Sequence, residues 1–583
     1  MRPQRPTGNA EGLDLVLAGL LGAGAMLSLV VWLTGQLASM FSGHEFLALD
    51  VGELPTVVAA WPNHLADPRH AFPDATEAQL PGPFPMYVAL TLTLMLLGVA
   101  AWGAWSLHER RPGRTPPGGH ASRRDVREQL SLAAVRRRAA QTRPSLDARH
   151  AAPHELGLRL GRDVRTGIQL YGSVEDSYLY LGPPRSGKGV NLIIPQCLDA
   201  PGAVLVTATR PDTLRATIEA RRERGPVAIF DPQSVMGEHE RLRWSPVRGC
   251  ADPLTAILRA RALTAGAKLA ALRDGEFWDA MAQAVVRCYL HAADLDGLSV
   301  RDVLTWVSRP ADPTPVRILR AHSDAAIGWA EELAAQAAAE PRQRDSVWAG
   351  VRRAFDALAD PRVLDTCSPS EADAFDARQF LEANGTLYLL GSSGAQLSVA
   401  PLVSALIEDI VETARRKAAT SLGGRLDPPL VLLLDEAANI APIPSLPSLL
   451  SDGGGSGITT VAVLQSLAQA RSRWGDSHAE TMWDAATIKV VLGGLAHAED
   501  LLRITRLAGE IDEPTQTRTR GPAGTTVATS IRRIPALPVE RLRGLPVGQA
   551  VVLARRAVPV TAQLSPYWTR HDRAAPPTPT ANR

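Results

Sequence analysis

The chain has 583 residues, a formal net charge of +2 and 45% hydrophobic residues. This length predicts several domains, and the nearly neutral charge excludes the strongly basic composition that by itself announces nucleic-acid binding. The four cysteines are too scattered for a disulfide framework or a clustered metal site, so we expect buried, reduced thiols at Cys197, Cys250, Cys288 and Cys367.

Two apolar segments near the N-terminus are long enough to cross a membrane. Residues 15–37 and 86–105 each have about 20 residues, the length that spans a hydrocarbon core of ~30 Å. A cleaved signal peptide is the alternative for the first segment, but its apolar run is too long and a second span follows. We therefore predict a two-helix membrane anchor over residues 1–108.

Charge predicts how this anchor is oriented. The loop between the spans, residues 42–84, carries six acids and one arginine, whereas eleven arginines follow the second span within residues 110–149. The positive-inside rule then places both termini in the cytoplasm and the loop outside it. Residues 109–165 are expected to form a basic juxtamembrane linker near anionic lipid, with contact to DNA as an alternative.

Residues 182–189 read GPPRSGKG, which matches the Walker A loop, Gly-x-x-x-x-Gly-Lys. A strand is predicted over residues 176–181 and a helix from Val190, the setting in which this loop wraps phosphates with its backbone N–H groups and its lysine. Gly189 replaces the hydroxyl residue that normally contacts Mg²⁺. The expected nucleotide site comprises Gly182, Pro183, Pro184, Arg185, Ser186, Gly187, Lys188, Gly189 and Val190.

The remaining segments predict one α/β domain that is interrupted by helices. Strand-like runs at residues 203–207 and 227–230 belong to a first part, residues 166–250, and another at 387–390 opens a second part, residues 381–565. Residues 251–380 are Ala-rich with helical spacing and predict an all-helical insertion, in which Phe277 and Trp278 are expected in the core. Residues 566–583 are expected to be a disordered tail.

Two polar motifs follow strand-like runs in the second part. Residues 430–434 are wholly apolar and lead into Asp435 and Glu436, the pattern of a buried parallel strand with carboxylates at its end. Asp435 is the candidate Mg²⁺ ligand, and Glu436 is the candidate group that polarises the attacking water. Gln465 follows the run 457–464 and is a candidate sensor of the γ-phosphate, although a surface glutamine is the commoner outcome.

In this order, the two spans, GPPRSGKG, Trp244-Ser245-Pro246, Phe277-Trp278, LLLDEA and Gln465-Ser466 resemble the coupling-protein ATPases of type IV secretion and bacterial conjugation. The resemblance implies a RecA-like domain in a homo-hexameric ring, anchored in the bacterial cytoplasmic membrane. It also implies hydrolysis of ATP with Mg²⁺ to bring single-stranded DNA and its attached relaxase to the secretion channel. The Walker A loop of that family commonly ends Ser-Gly-Lys-Gly, as it does here.

Two features differ from the pattern of the family. Its acidic motif often continues as Asp-Glu-Phe, where this chain has Ala437. Some members also carry, before the glutamine strand, an arginine that acts on the neighbouring subunit, whereas residues 437–464 contain no arginine or lysine. A trans-acting arginine must then come from elsewhere, with Arg471, Arg473 and Arg503 as candidates, or be missing.

Three functions are consistent with these motifs. The first is a motor for DNA export, which the motif set favours. The second is a membrane-anchored motor for double-stranded DNA or for protein secretion; the helical insertion and the two-span anchor argue against the chromosome-segregating type. The third is a nucleotide-binding scaffold that does not turn over, which Gly189 and the arginine-free segment would permit.

Overall fold

A computed structural model describes residues 10–43, 46–109, 121–233, 242–265, 275–391, 396–521 and 524–569. The chain divides into two compact units, residues 1–114 and 115–583. Each unit has its own apolar core, and each is described by itself.

The first unit contains two long apolar helices, α1 (Ala10–Phe41) and α4 (Pro83–Glu109), with the short helices α2 (Leu54–Ala60) and α3 (Asp74–Glu77) between them. Within them, Gly24–Phe41 and Pro83–Gly103 have the length and hydropathy of membrane spans. Large apolar side chains of α4 are exposed, including Met95, Leu96 and Trp102. An exposed apolar surface of this kind suits lipid rather than water.

The segment between the two long helices packs into a small core of its own. Phe72 and Leu47 are buried there, and the buried Gln36 of α1 is satisfied by one residue of this segment. Its Nε2 donates to the Leu47 carbonyl and its Oε1 accepts from the Leu47 N–H, both at 2.9 Å. Gln36, a polar residue within the apolar first span, therefore links α1 to the loop through two hydrogen bonds.

The second unit is built on an eleven-stranded sheet in the order β2-β1-β13-β12-β9-β3-β8-β7-β4-β6-β5. The seven strands from β9 to β5 are parallel, and the four before them are antiparallel. Two further strands, β10 and β11, pair only with each other. The bounds are β1 Gly157–Asp163, β2 Gln169–Ser173, β3 Tyr178–Leu181, β4 Val204–Ala208, β5 Val227–Phe230, β6 Thr386–Leu390, β7 Leu430–Leu434, β8 Ile458–Leu464, β9 Ile488–Leu492, β10 Glu510–Gly521, β11 Gly524–Pro535, β12 Gln549–Ala554 and β13 Val560–Gln563.

Helices cover both faces of the parallel strands, whose residues are buried on each side. The helices of the second unit in the described part of the chain are α5 Arg123–Gln129, α6 Leu132–Thr142, α7 Pro153–Leu156, α8 Ile194–Asp199, α9 Asp212–Arg222, α10 Pro253–Ala265, α11 Gly275–Leu295, α12 Val300–Ser308, α13 Thr314–Ala321, α14 Trp329–Ala337, α15 Pro341–Phe355, α16 Pro361–Thr366, α17 Ala377–Glu382, α18 Gln396–Thr420, α19 Ala437–Ile440, α20 Leu446–Asp452, α21 Leu467–Trp474, α22 Asp476–Ala485, α23 Ala498–Ala508 and α24 Val539–Arg543. Apart from boundary shifts of one or two residues, β3 to β8 coincide with the predicted strands.

Helices α10 to α16 fall within the stretch predicted as an insertion, between β5 and β6, and α17 ends two residues beyond it. Trp278 packs against its core as expected, whereas Phe277 is half exposed. All four cysteines are buried and unpaired, as predicted. Burial raises the pKa of the Cys367 thiol to about 12, which keeps this thiol protonated and unreactive.

Three parts of the second unit differ from the sequence prediction. Residues 123–163 were predicted as linker but form α5, α6, α7 and the sheet strand β1, with Arg143 buried against Asp427 at 2.6 Å. The predicted tail begins too early, because Tyr567 is buried; residues 570–583 of that tail lie outside the described part. The β10–β11 hairpin was not predicted.

Candidate active site

The phosphate loop follows β3, which lies between β9 and β8 among the parallel strands. Gly182 donates its N–H to the Leu464 carbonyl of β8 at 3.0 Å, which fixes the start of the loop against the neighbouring strand. Gly187 has a φ of +83°, and a Cβ there would lie 2.7 Å from Nδ2 of Asn191. A glycine is therefore required at this turn. A π-helical turn, Gly189–Ile193, then leads into α8.

The loop holds buried polar atoms that have no partner among the described residues. Lys188 is 9% exposed, and its Nζ makes no hydrogen bond. Its nearest anions are Asp435 Oδ1 at 3.6 Å and Glu436 Oε1 at 3.7 Å. The Oγ of Ser186 and the Oδ1 of Asn191 are also buried and unpartnered. An ammonium without a hydrogen bond at the start of a helix fits a phosphate ligand, because buried donors that lack one carry a cost of about 1–3 kcal/mol each.

The two carboxylates lie at the end of β7, two strands away from β3. The backbone carbonyl of Asp435 accepts a hydrogen bond from Thr207 Oγ1 of β4 at 2.7 Å. Glu436 has a φ of +52°, an uncommon left-handed conformation for a non-glycine residue. Burial raises the pKa of the Asp435 carboxyl, and the Lys188 ammonium opposes that rise. The ligand-free site thus holds Asp435 in an environment that disfavours its charge.

Gln465, at the end of β8, reaches the same carboxylate. Its Nε2 donates to Glu436 Oε2 at 3.4 Å, and Asn439 Nδ2 donates to that oxygen at 3.0 Å. Gln469 joins the two donors: its Oε1 accepts from the Gln465 N–H at 3.0 Å and its Nε2 donates to Asn439 Oδ1 at 3.2 Å. The structure therefore brings together the polar ends of β3, β7 and β8, as the sequence predicted.

Asn439 and Gln469 were missed by sequence reasoning. Each is an ordinary polar residue in a short helix, and its role as a hydrogen-bond partner appears only when α19 and α21 lie side by side. The one available signal was spacing, since Asn439 follows Glu436 by three residues and Gln469 follows Gln465 by four. Such spacings place helix residues on one face.

The residues present fit a magnesium–nucleotide ligand in part. Asp435 supplies a carboxylate oxygen, the donor type that Mg²⁺ prefers, and Lys188 lies where it would meet the outer phosphates. Gly189 offers no hydroxyl, and a Cβ built there meets nothing within 4 Å. Among the described residues, no cluster of three or more His, Cys, Asp or Glu could hold a metal ion alone. Phosphate and water oxygens would therefore complete the metal's coordination.

Two of the three candidate trans-acting arginines have carboxylate partners in their own chain. Arg471 Nη2 lies 3.4 Å from Asp500 Oδ1. Arg503 Nη2 lies 2.5 Å from Glu480 Oε2, and its guanidinium lies 5.1 Å from the centre of the Trp483 ring. The third, Arg473, is partly buried, and this burial lowers its pKa.

Two family models match separate parts of the second unit. Residues 145–250 match a model described as type IV secretory system conjugative DNA transfer, and residues 429–547 match one described as the TraM recognition site of TraD and TraG. The first match contains the phosphate loop and the second contains the acidic motif and Gln465. The chain is thus similar, over these two segments, to proteins of conjugative DNA transfer.

Solved structures of a bacterial conjugative coupling protein, TrwB, share the fold of this chain. An unbound form aligns with a TM-score of 0.51 at 19% identity, covering 70% of this chain and 88% of that one. A form with ADP and Mg²⁺ aligns with a TM-score of 0.50 at 18% identity, covering 70% and 89%. These likenesses support the RecA-like P-loop fold. Among curated proteins, none matches the chain.

Proposed function

We propose that this protein is an ATP-driven coupling protein, which recruits a relaxase-bound single strand of DNA to a type IV secretion channel and helps to pump it across the membrane. The observation that carries the proposal is the convergence of Lys188, Glu436 and Gln465 from three neighbouring strands. This convergence occurs within the segments that match conjugative DNA-transfer families.

Each polar group of the site has a distinct task in this proposal. Lys188 and the loop amides bind the phosphates, and Asp435 holds Mg²⁺. When bound, Mg²⁺ neutralises the charge that develops on the phosphate oxygens. Glu436 accepts the proton of the attacking water, while Asn439 and Gln465 hold its carboxylate in place. Gln465 would report the loss of the γ-phosphate to β8 and α21.

We further propose that α1 and α4 anchor the protein in the bacterial cytoplasmic membrane with both termini in the cytoplasm. The two helices have the required length and hydropathy, and the acid-rich loop and the following arginines favour this orientation. Reporter fusions after residue 60 should read extracytoplasmic and fusions after residue 115 cytoplasmic. A cytoplasmic signal at residue 60 would overturn the two-span anchor.

ATP hydrolysis by the full-length protein in detergent tests the central proposal. Single-stranded DNA should raise the ATPase rate more than double-stranded DNA does, and Lys188→Ala should abolish nucleotide binding. Glu436→Gln should bind ATP but lose roughly 10²-fold or more in turnover, because an amide cannot accept the water's proton. Glu371→Gln, an exposed change in the helical insertion, is the matched control.

The other functions correspond to other outcomes of the same assay. A stronger response to double-stranded DNA would favour a duplex translocase, and a rate independent of both DNAs would favour a protein-secretion motor. ATP binding without turnover in the assembled wild-type protein would leave the scaffold as the function.

A further inference from the structure

Two exposed apolar side chains lie near the segment that carries the phosphate loop: Val547 borders the loop itself, and Trp568 adjoins Tyr567, which packs on α8. Val547 is 75% exposed and precedes β12, and Trp568 is 44% exposed and follows β13. Apolar groups left in solvent next to a ligand site indicate a surface that the ligand covers.

Val547 borders the loop at its turn. A Cβ built on Gly187 would lie 3.3 Å from Cγ1 of Val547. The next residue, Gly548, accepts a hydrogen bond from the Leu564 N–H at 2.7 Å. This bond places the Val547 segment beside the strand end that leads to Trp568.

Trp568 is positioned through Tyr567. The Tyr567 ring is buried against Ile194 and Leu198 of α8, and Val190, two residues past Lys188, packs on the same cluster. The Trp568 ring meets the Tyr567 ring edge-on, with centroids 5.1 Å apart. The C-terminal segment therefore holds an exposed indole next to the helix that starts at the phosphate loop.

We propose that Trp568 and Val547 form the binding site for the base of the nucleotide whose phosphates the loop holds. This inference rests on the proposed nucleotide function and adds the subsite for the base. Val547 borders the phosphate loop and Trp568 is held beside α8, which starts at that loop. A flat aromatic ring and an aliphatic side chain suit the π-face of a base, whatever its hydrogen-bonding edge. The C-terminal segment then becomes part of the site rather than a tail.

The test compares two ligands on the full-length protein in detergent by titration calorimetry. MgATP carries a base, whereas Mg-tripolyphosphate carries only the phosphates. Trp568→Ala should weaken MgATP binding about 10-fold, the typical loss of one base-stacking contact, and leave tripolyphosphate binding unchanged. Trp568→Phe should restore most of the affinity. Phe277→Ala, which removes an exposed ring in the helical insertion, should change neither constant.

Val547→Ser keeps the test independent of any folding defect at Trp568, since Val547 is highly exposed; it should weaken MgATP alone, by about 3-fold. Equal weakening of both ligands by Trp568→Ala would mean that the segment only supports α8, and the base-site proposal would fail. The base-site proposal would also fail if neither Trp568→Ala nor Val547→Ser changed the affinity for MgATP. A change in oligomeric state alone counts as such a failure. A wild-type protein that bound neither ligand would instead remove the nucleotide function itself.

Discussion

Gln465 Nε2 lies 3.4 Å from Glu436 Oε2, although the two residues end different strands and are separated by α19, α20 and β8. Asn439 donates to the same oxygen at 3.0 Å. One carboxylate oxygen thus has two amide donors, while the other lies 3.7 Å from Lys188 Nζ. The carboxylate is oriented before any ligand arrives, which is the arrangement expected of a group that must meet a water at a defined position.

Removing the shorter of these two hydrogen bonds should lower turnover without weakening ATP binding. We expect Asn439→Ala to reduce the ATPase rate about 10-fold, because hydrogen bonds to charged groups contribute roughly 1.5–3 kcal/mol. Steady-state kinetics and a separate binding titration measure the two effects. An unchanged rate would show that Gln465 alone orients Glu436.

Two glycines of the phosphate loop should respond in opposite ways to an added side chain. Gly189→Ser should fold normally, because a Cβ there meets nothing within 4 Å, and its hydroxyl should strengthen the Mg²⁺ dependence of ATP binding. Gly187→Ala should lose ATP binding, because its φ is +83° and its Cβ would lie 2.7 Å from Asn191 Nδ2. ATP-binding titrations at several Mg²⁺ concentrations compare the two variants. Equal ATP affinities in the two variants would contradict the loop geometry.

Asp435→Asn should stabilise the ligand-free protein while it removes Mg²⁺-dependent binding. Burial raises the pKa of Asp435, so its charge opposes folding, and an amide of the same shape should add about 1 kcal/mol at neutral pH. The raised pKa means that wild-type stability falls as pH rises from the ordinary aspartate range through the folded pKa. Thermal unfolding with and without MgATP should show a higher midpoint for the variant without ligand and no upward shift with it.

Lys489 should make stability depend on pH in the alkaline range. Burial lowers its pKa from 10.5 to about 8, with its Nζ donating to the Ala486 carbonyl at 2.6 Å. Between these values the unfolded chain binds a proton that the folded protein does not, so the free energy of unfolding should rise with pH. Because the ammonium is only partly buried, we expect an effect on the order of 1 kcal/mol.

Denaturant unfolding between pH 7.5 and 10.5 should show this rise in the wild type and lose it in Lys489→Met. Lys417→Met is the matched control, since Lys417 is a surface lysine paired with Glu382 at 3.0 Å. A wild type and a Lys489→Met variant with parallel pH profiles would contradict the prediction.

In the ring of subunits that the family resemblance implies, an active site shared between neighbours predicts that two inactive variants restore each other. Substituting Arg471, Arg473 and Arg503 by alanine one at a time should reveal one variant that binds ATP but does not hydrolyse it. Mixed rings of that variant with Glu436→Gln protein should regain activity, because some interfaces then carry both an intact Glu436 and an intact arginine. Mixtures that stay inactive would argue against a trans-acting arginine among the three.

The central strands and the positions of Lys188, Asp435 and Gln465 were predictable because their signals are local. A wholly apolar run of five residues ending in carboxylates predicts a buried parallel strand, and β7 is such a strand. The phosphate loop has the same advantage, since its glycines and lysine are adjacent in sequence. Parallel strands bring their carboxyl ends to one edge, so the meeting of these residues followed from the strand assignments.

Other features depend on pairings between distant segments. The antiparallel strand β1 pairs with β13. The paired residues Arg162 and Gln563 are neighbours in space but come from opposite ends of the second unit's sequence. The hairpin sequence carried a signal in its alternating threonines before the glycines at 521 and 524. Its register, from the pair Glu510 and Pro535 to the pair Gly521 and Gly524, needed the structure. Arg143 looked like a linker residue until its burial against Asp427 was visible.

The chain leaves the sheet after β5, passes through the whole helical insertion, and re-enters the sheet as β6, which pairs in parallel with β5. The partner strands of β4, which are β6 and β7, also come after the insertion. During synthesis, β4 and β5 therefore leave the ribosome long before they can complete the sheet. Helices α11 to α15 contact one another and can fold in that interval, whereas α10 and α17 also pack on α18, which follows β6, and pairing between distant strands is slow. We expect the insertion to fold first and to hold the ends of the unfinished sheet together until β6 arrives.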